Sequence, residues 1–130
     1  MSVLVGYVPT PEGEAALQMA VAEARLRETS LIVLNASSGD AIADPHHANP
    51  DVVERIKKEL ADSGVAHTLE IRTGRDPVEE IATLAEDSSV ELVVIGLRPR
   101  NPVGKLLTGS TAQQILHDVN CPVLAVKATR

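Results

Sequence analysis

Four stretches of this sequence, residues 2–8, 31–36, 90–95 and 121–126, carry apolar side chains at consecutive rather than alternate positions. A strand with one face in water alternates, whereas a strand covered on both faces does not, so these runs read as buried strands of a parallel sheet. The segments between them repeat with helical period. Leu17, Ala20, Val21 and Ala24 form one stripe, Val53, Ile56 and Leu60 a second, and Val78, Ile81, Ala82 and Ala85 a third. Residues 65–72 alternate more and belong nearer a sheet edge. Strands alternating with single helices imply right-handed crossovers onto one sheet. The expected fold is α/β, a doubly wound five-stranded parallel sheet of order 3-2-1-4-5 with helices on both faces.

Local signals place the helix ends. Thr10 can cap a helix that has Pro11 at its first position, Glu12 and Glu14 against the dipole, and its end near Arg27. Asn49-Pro50 opens the second helix and Gly64 stops it. Asp76-Pro77-Val78-Glu79 and Ser110-Thr111-Ala112-Gln113 both read as capping boxes, the latter starting a helix that runs to about Asp118.

With 130 residues, 44% of them hydrophobic, the chain fits one domain over 1–130. The formal net charge is -6 and the cations form no long run, which argues against a nucleic-acid partner. No apolar run is long enough to cross a bilayer and the first residues lack the pattern of a signal peptide, so the expected location is cytoplasmic. Cys121 stands alone, which excludes an intrachain disulfide, and no neighbouring base or cation marks it as a nucleophile. Tyr7 is the sole aromatic residue, so a bound base could stack on only one ring.

In such a sheet ligands sit beyond the carboxyl ends of the strands, where strand order reverses, here between the first and fourth strands. The segment from Gly96 to Thr111 leaves the fourth strand there and brings Gly96, Gly104, Gly109, Arg98, Arg100, Lys105, Ser110 and Thr111 to the start of a helix. Backbone N–H groups at a helix start and arginine forks are the groups that hold phosphate. Tyr7, Val8, Pro9 and Thr10 would form the opposite wall. Each residue also has a plainer role: glycines allow tight turns, Ser110 and Thr10 cap helices, and the cations can simply face solvent. A P-loop is absent, because Leu106 follows Gly104-Lys105 and the leading glycine is missing; no G-x-G-x-x-G occurs either. His46 and His47 near Asp44 lack the further ligands a metal needs, and no carboxylate pair or Ser-His-Asp order marks a catalytic centre.

The spacing Gly96, two residues, Pro99, nine residues, Gly109-Ser110 resembles the nucleotide-binding signature of the universal stress protein family, G-x2-G-x9-G-[S/T]. The flanking runs 91–96, 105–110 and 120–127 are similar to that family as well. The resemblance implies an adenine nucleotide alpha hydrolase-like fold and a role in stress response, and the lack of a catalytic constellation leads to no expected enzymatic activity. The implied ligand is an adenine nucleotide, ATP or AMP, bound for regulation, and the implied assembly is a homodimer joined through the last strand. By carry-over, Ile95, Gly96, Leu97, Arg98, Gly109, Ser110 and Thr111 would hold ribose and phosphates. Tyr7 and Val8 would flank the sugar, and the backbone of Asn35 and Ala36 would meet the adenine edge. Two positions depart from the pattern: Pro99 replaces the second glycine and removes an N–H, and Val8 replaces the aspartate usual at the end of the first strand. Losing one charged hydrogen bond, worth about 1.5–3 kcal/mol, weakens binding by roughly one to two decades. Arg98 and Arg100 are placed to compensate. The alternatives are a nucleotide-free interaction protein of the same fold and, more weakly, a slow ATPase.

Overall fold

The computed structural model describes residues 1–37, 48–97 and 110–128, with residues 110 and 111 as backbone alone. Five strands and four helices alternate: β1 (Ser2–Gly6), α1 (Pro11–Leu26), β2 (Ser30–Ser37), α2 (Pro50–Ser63), β3 (His67–Thr73), α3 (Pro77–Ala85), β4 (Val90–Leu97), α4 (Ser110–Asp118) and β5 (Val123–Lys127). All four strand pairings are parallel, as the apolar runs imply, and the order is the expected β3-β2-β1-β4-β5.

The parallel sheet divides the core in two. Val3, Val5 and Tyr7 of the first strand region, Leu31 and Val33 of β2, and Leu92 and Val94 of β4 pack with Ala16, Leu17, Ala20 and Ala24 of α1 and with Ile56 and Leu60 of α2. On the other face Leu4, Leu34, Val93 and Ile95 meet Val78 and Ile81 of α3 and Ala112 and Ile115 of α4. Consecutive strand residues therefore enter opposite cores, which is why the central runs are apolar at every position. β3 lies at an edge and is mostly exposed or half-buried, in keeping with its alternation.

The helix caps follow the local signals. Thr10 accepts from the Gly13 N–H at 3.1 Å, Asn49 from Val52 at 3.0 Å and Asp76 from Val78 at 3.1 Å, each followed by proline in the first turn. Gly64 closes α2 in the left-handed conformation, φ 75°.

Strand ends differ from the sequence reading. β1 closes at Gly6 rather than at residue 8, although the Tyr7 N–H still donates to the Leu34 carbonyl at 2.8 Å. β4 extends through Gly96 and Leu97, which pair with Val126 and Lys127. The β5 ladder outweighs the glycine there, so the candidate loop begins two residues later than its composition suggests. β3 begins at His67 rather than residue 65, and β5 at Val123, leaving Cys121 half-buried ahead of the strand, where desolvation pushes its thiol pKa up.

The turn from β1 to α1 is closed by a backbone contact. A Cβ built on Gly13 would lie 1.8 Å from the Val8 carbonyl oxygen. Gly13→Ala must therefore move backbone rather than a side-chain tip, and should cost at least about 2 kcal/mol. Urea denaturation measures it; an unchanged midpoint would contradict this packing.

Candidate functional site

The carboxyl ends of β1 and β4 are direct neighbours, with Gly6 paired to Ile95, and β2 lies on the other side of β1. This is the point where strand order reverses. By topology α4 must return antiparallel to the strands, so its N-terminus at Ser110 opens at the same end. The first N–H groups of such a helix have no intrahelical acceptor and carry the positive end of the dipole.

Of the residues assigned to the site, Tyr7, Val8, Ala36, Ile95, Gly96 and Leu97 come together at this rim. Ala36 and Ile95 lie in the core that faces α3 and α4. Val8 is half-buried and its carbonyl accepts the Thr10 N–H at 2.8 Å. Gly96 has a packing role: a Cβ there would sit 2.5 Å from the carbonyl oxygen of Glu12. β4 can thus end against the first turn of α1 only if that position lacks a side chain. Ser110 and Thr111 form the first turn of α4. Arg98, Pro99, Arg100, Lys105 and Gly109 lie outside the described residues, as do Asp44, His46 and His47. Among the described residues no group of histidine, cysteine and carboxylate side chains is arranged to hold a metal.

Tyr7 does not present its ring to the rim. Its side chain is 1% exposed and turns beneath α1, where its hydroxyl bonds the Glu14 carboxylate. Arg55 of α2 joins them, with Nη2 at 3.2 Å from the Tyr7 hydroxyl and 2.5 Å from Glu14 Oε2, and Nη1 at 2.9 Å from Glu59 Oε1. Only the Tyr7 backbone can border a ligand, and the sole aromatic ring is not a stacking platform.

Asn35 is the second polar element of the rim. It is fully buried inside an apolar strand, and its side chain donates to the Tyr7 carbonyl at 3.0 Å and accepts from the Ala48 N–H at 3.1 Å. One amide thereby ties the end of β1, the end of β2 and the approach to α2. Two residues on, the Ser37 hydroxyl is buried with no hydrogen-bond partner among the described residues. An unmet buried hydroxyl costs about 1–3 kcal/mol. Sequence reasoning placed the Asn35 backbone at the ligand and missed the clamp made by its side chain. The signal was an asparagine inside a continuous apolar run, since a buried amide must find partners. Arg55 and Glu14, 41 residues apart, gave no comparable local signal.

With this geometry in hand, comparison with known proteins is decisive. The model of the universal stress protein family matches residues 1–127. The chain belongs to that family. A universal stress protein of Mycolicibacterium smegmatis is 45% identical over 125 residues, 96% of each chain. Several longer relatives are matched over about half their own length. Among solved structures, a universal stress protein from Archaeoglobus fulgidus in complex with dAMP superimposes with a TM-score of 0.64 at 22% identity, covering 97% of this chain and 96% of that one. A universal stress protein in complex with cAMP gives 0.75 at 20% identity, covering 99% and 98%. At these identities the two structures show that the chain has the universal stress protein fold.

The buried tyrosine of this family member provides a spectroscopic test. Burial, and then the Glu14 carboxylate, push the Tyr7 hydroxyl well above its ordinary value of about 10, with Arg55 opposing. Because the folded pKa is raised, the associated stability is fully present below the unfolded value. It is lost as pH rises above that value towards the folded one. Tyr7 is the only tyrosine and there is no tryptophan, so ultraviolet absorbance reads this group alone. The folded protein should show no tyrosinate near pH 10, ionising only at higher pH or on unfolding. Ordinary ionisation with the fold intact would contradict the burial.

Proposed function

We propose that this protein binds an adenine nucleotide at the β1–β4 switch point as a regulatory ligand in stress response. The observation that carries the reading is the convergence of the β1, β2 and β4 carboxyl ends with the first turn of α4. The dAMP and cAMP held by two proteins of the same fold support it. The residues fit such a group in specific ways. Ser110 and Thr111 offer helix N-terminal amides to phosphate, and Ala36 offers backbone to the adenine edge. Ile95, Gly96 and Leu97 border the ribose and the start of the phosphates. Tyr7 and Val8 border the sugar through backbone and apolar surface, with no carboxylate to grip its hydroxyls. Arg98 and Gly109 are assigned to the phosphates by carry-over from the family, and Arg100 as a cation in the same segment that can grip phosphate. The nucleotide acts by occupancy, and no residue is assigned a catalytic step. The proposed location is cytoplasmic.

Calorimetry with ATP, AMP and cyclic AMP tests the reading. Heat and a thermal shift are expected with at least one of them. Ser110→Glu should weaken binding at least tenfold, because it puts a carboxylate among the phosphates while still favouring the helix start. No heat and no thermal shift at millimolar nucleotide would overturn the proposal.

A specific observation favours a homodimer through the last strand. β5 is an edge strand, and its residues Val123, Leu124, Ala125 and Val126 are each only half-buried although both helical layers reach them. Pairing with a second copy would complete the ladder and cover them. Sedimentation equilibrium should give the mass of two chains; a monomer at all concentrations would exclude it.

A further inference from the structure

α2 meets the crevice wall twice. At its approach the Ala48 N–H is held by Asn35, and one turn into the helix Arg55 reaches across to Glu14 and Tyr7. Ile56 and Leu60 of α2 are fully buried and Val52 and Val53 partly so, and the polar contacts add a fixed orientation to that packing. The wall's own supports are backbone contacts, Gly13 against the Val8 carbonyl and the Tyr7 N–H on Leu34. Residues 8–10 form a tight turn in which the Thr10 N–H donates to the Val8 carbonyl, and they are followed at once by the Thr10 cap. Tyr7 is the residue that leads into this turn. Its carbonyl is held by Asn35 and its hydroxyl by Glu14 and Arg55. Arg55 is the only described cation in contact with this group, and its planar fork addresses both oxygens of Glu14, at 3.3 and 2.5 Å.

We infer that Arg55 is a positioning residue for the nucleotide crevice, which docks α2 on Tyr7 and Glu14 and so fixes the wall from Tyr7 to Thr10. Its service to a ligand rests on the nucleotide reading above. Among the rim residues Arg55 touches Tyr7, at its buried hydroxyl, and acts on the wall through that contact. Because coupling is reciprocal, a ligand that orders the wall also tightens the docking of α2. Occupancy of the crevice is thereby felt at α2, most of whose residues are exposed. The Arg55 side chain is 44% exposed, so screening limits the effect to several-fold.

The test compares the wild type with Arg55→Met, which keeps the stem and loses the donors, and Arg55→Lys, which keeps the charge and loses the fork. Hydrogen exchange of the Tyr7, Thr10 and Gly13 amides should quicken about fivefold in Arg55→Met, while Val93 and Val94 in the sheet centre keep their protection. Arg55→Lys should recover part of the loss. AMP affinity measured by calorimetry should fall by a similar factor in Arg55→Met. Unchanged exchange at the wall overturns the positioning role whatever the nucleotide does. Unchanged AMP affinity in Arg55→Met, with AMP binding the wild type, overturns the coupling to the site. If AMP does not bind the wild type, the affinity comparison is made with ATP or cyclic AMP; if none of the three binds, the nucleotide reading falls and the exchange comparison alone decides whether Arg55 holds the wall.

Discussion

The parallel pairing of β1 with β4 is the constraint on which the rest of this molecule depends. It sets Gly6 beside Ile95 and turns the chain outward to helices on opposite faces from that line. Such a centre must be apolar on both sides, and the helices must approach closely. Small residues make that approach possible at three points: Gly6 under Ile81, Gly13 against Val8, and Gly96 against Glu12. Two of these contacts are backbone to backbone and cannot give way as a flexible side-chain tip would. The rim of the site is thus fixed by packing before any ligand is considered.

Polar groups then finish what packing leaves open. Asn35 spends its amide on two backbone partners, and Arg55 spans two helices and the end of β1. Buried amide bonds of this kind are worth about 1 kcal/mol each when made and more when broken on one side. Their contribution is mainly to geometry. They hold the end of β1, the end of β2 and α2 in one arrangement, and that arrangement is the wall of the crevice.

Features set by neighbours in sequence were legible from residues alone. Thr10, Asn49 and Asp76 cap where their side chains reach backbone amides two or three residues on, and Gly64 stops α2 because glycine takes the left-handed conformation without a Cβ penalty. The parallel doubly wound sheet followed from apolar runs and crossover handedness, and the expected order 3-2-1-4-5 is the one the pairings show. Features set by distant residues were not legible. Tyr7 lies in an apolar run and read as a wall residue with an available ring, yet its ring is consumed by Glu14 and Arg55. Gly96 read as the first residue of a phosphate loop; the ladder to β5 keeps it in the strand, and the close backbone of Glu12 explains why it is glycine. The signature spacing identified the family, and the geometry supplies a second reason for one of its glycines.

The central claim is that an adenine nucleotide occupies the junction of β1, β2, β4 and α4. Amide chemical shifts of isotope-labelled protein titrated with ATP, AMP and cyclic AMP in turn test it most directly. The account predicts saturable shifts at Val8, Ala36, Gly96, Leu97, Ser110 and Thr111, with β3 and the carboxyl end of α1 unmoved. Shifts confined to other surfaces, or none at all, would contradict it.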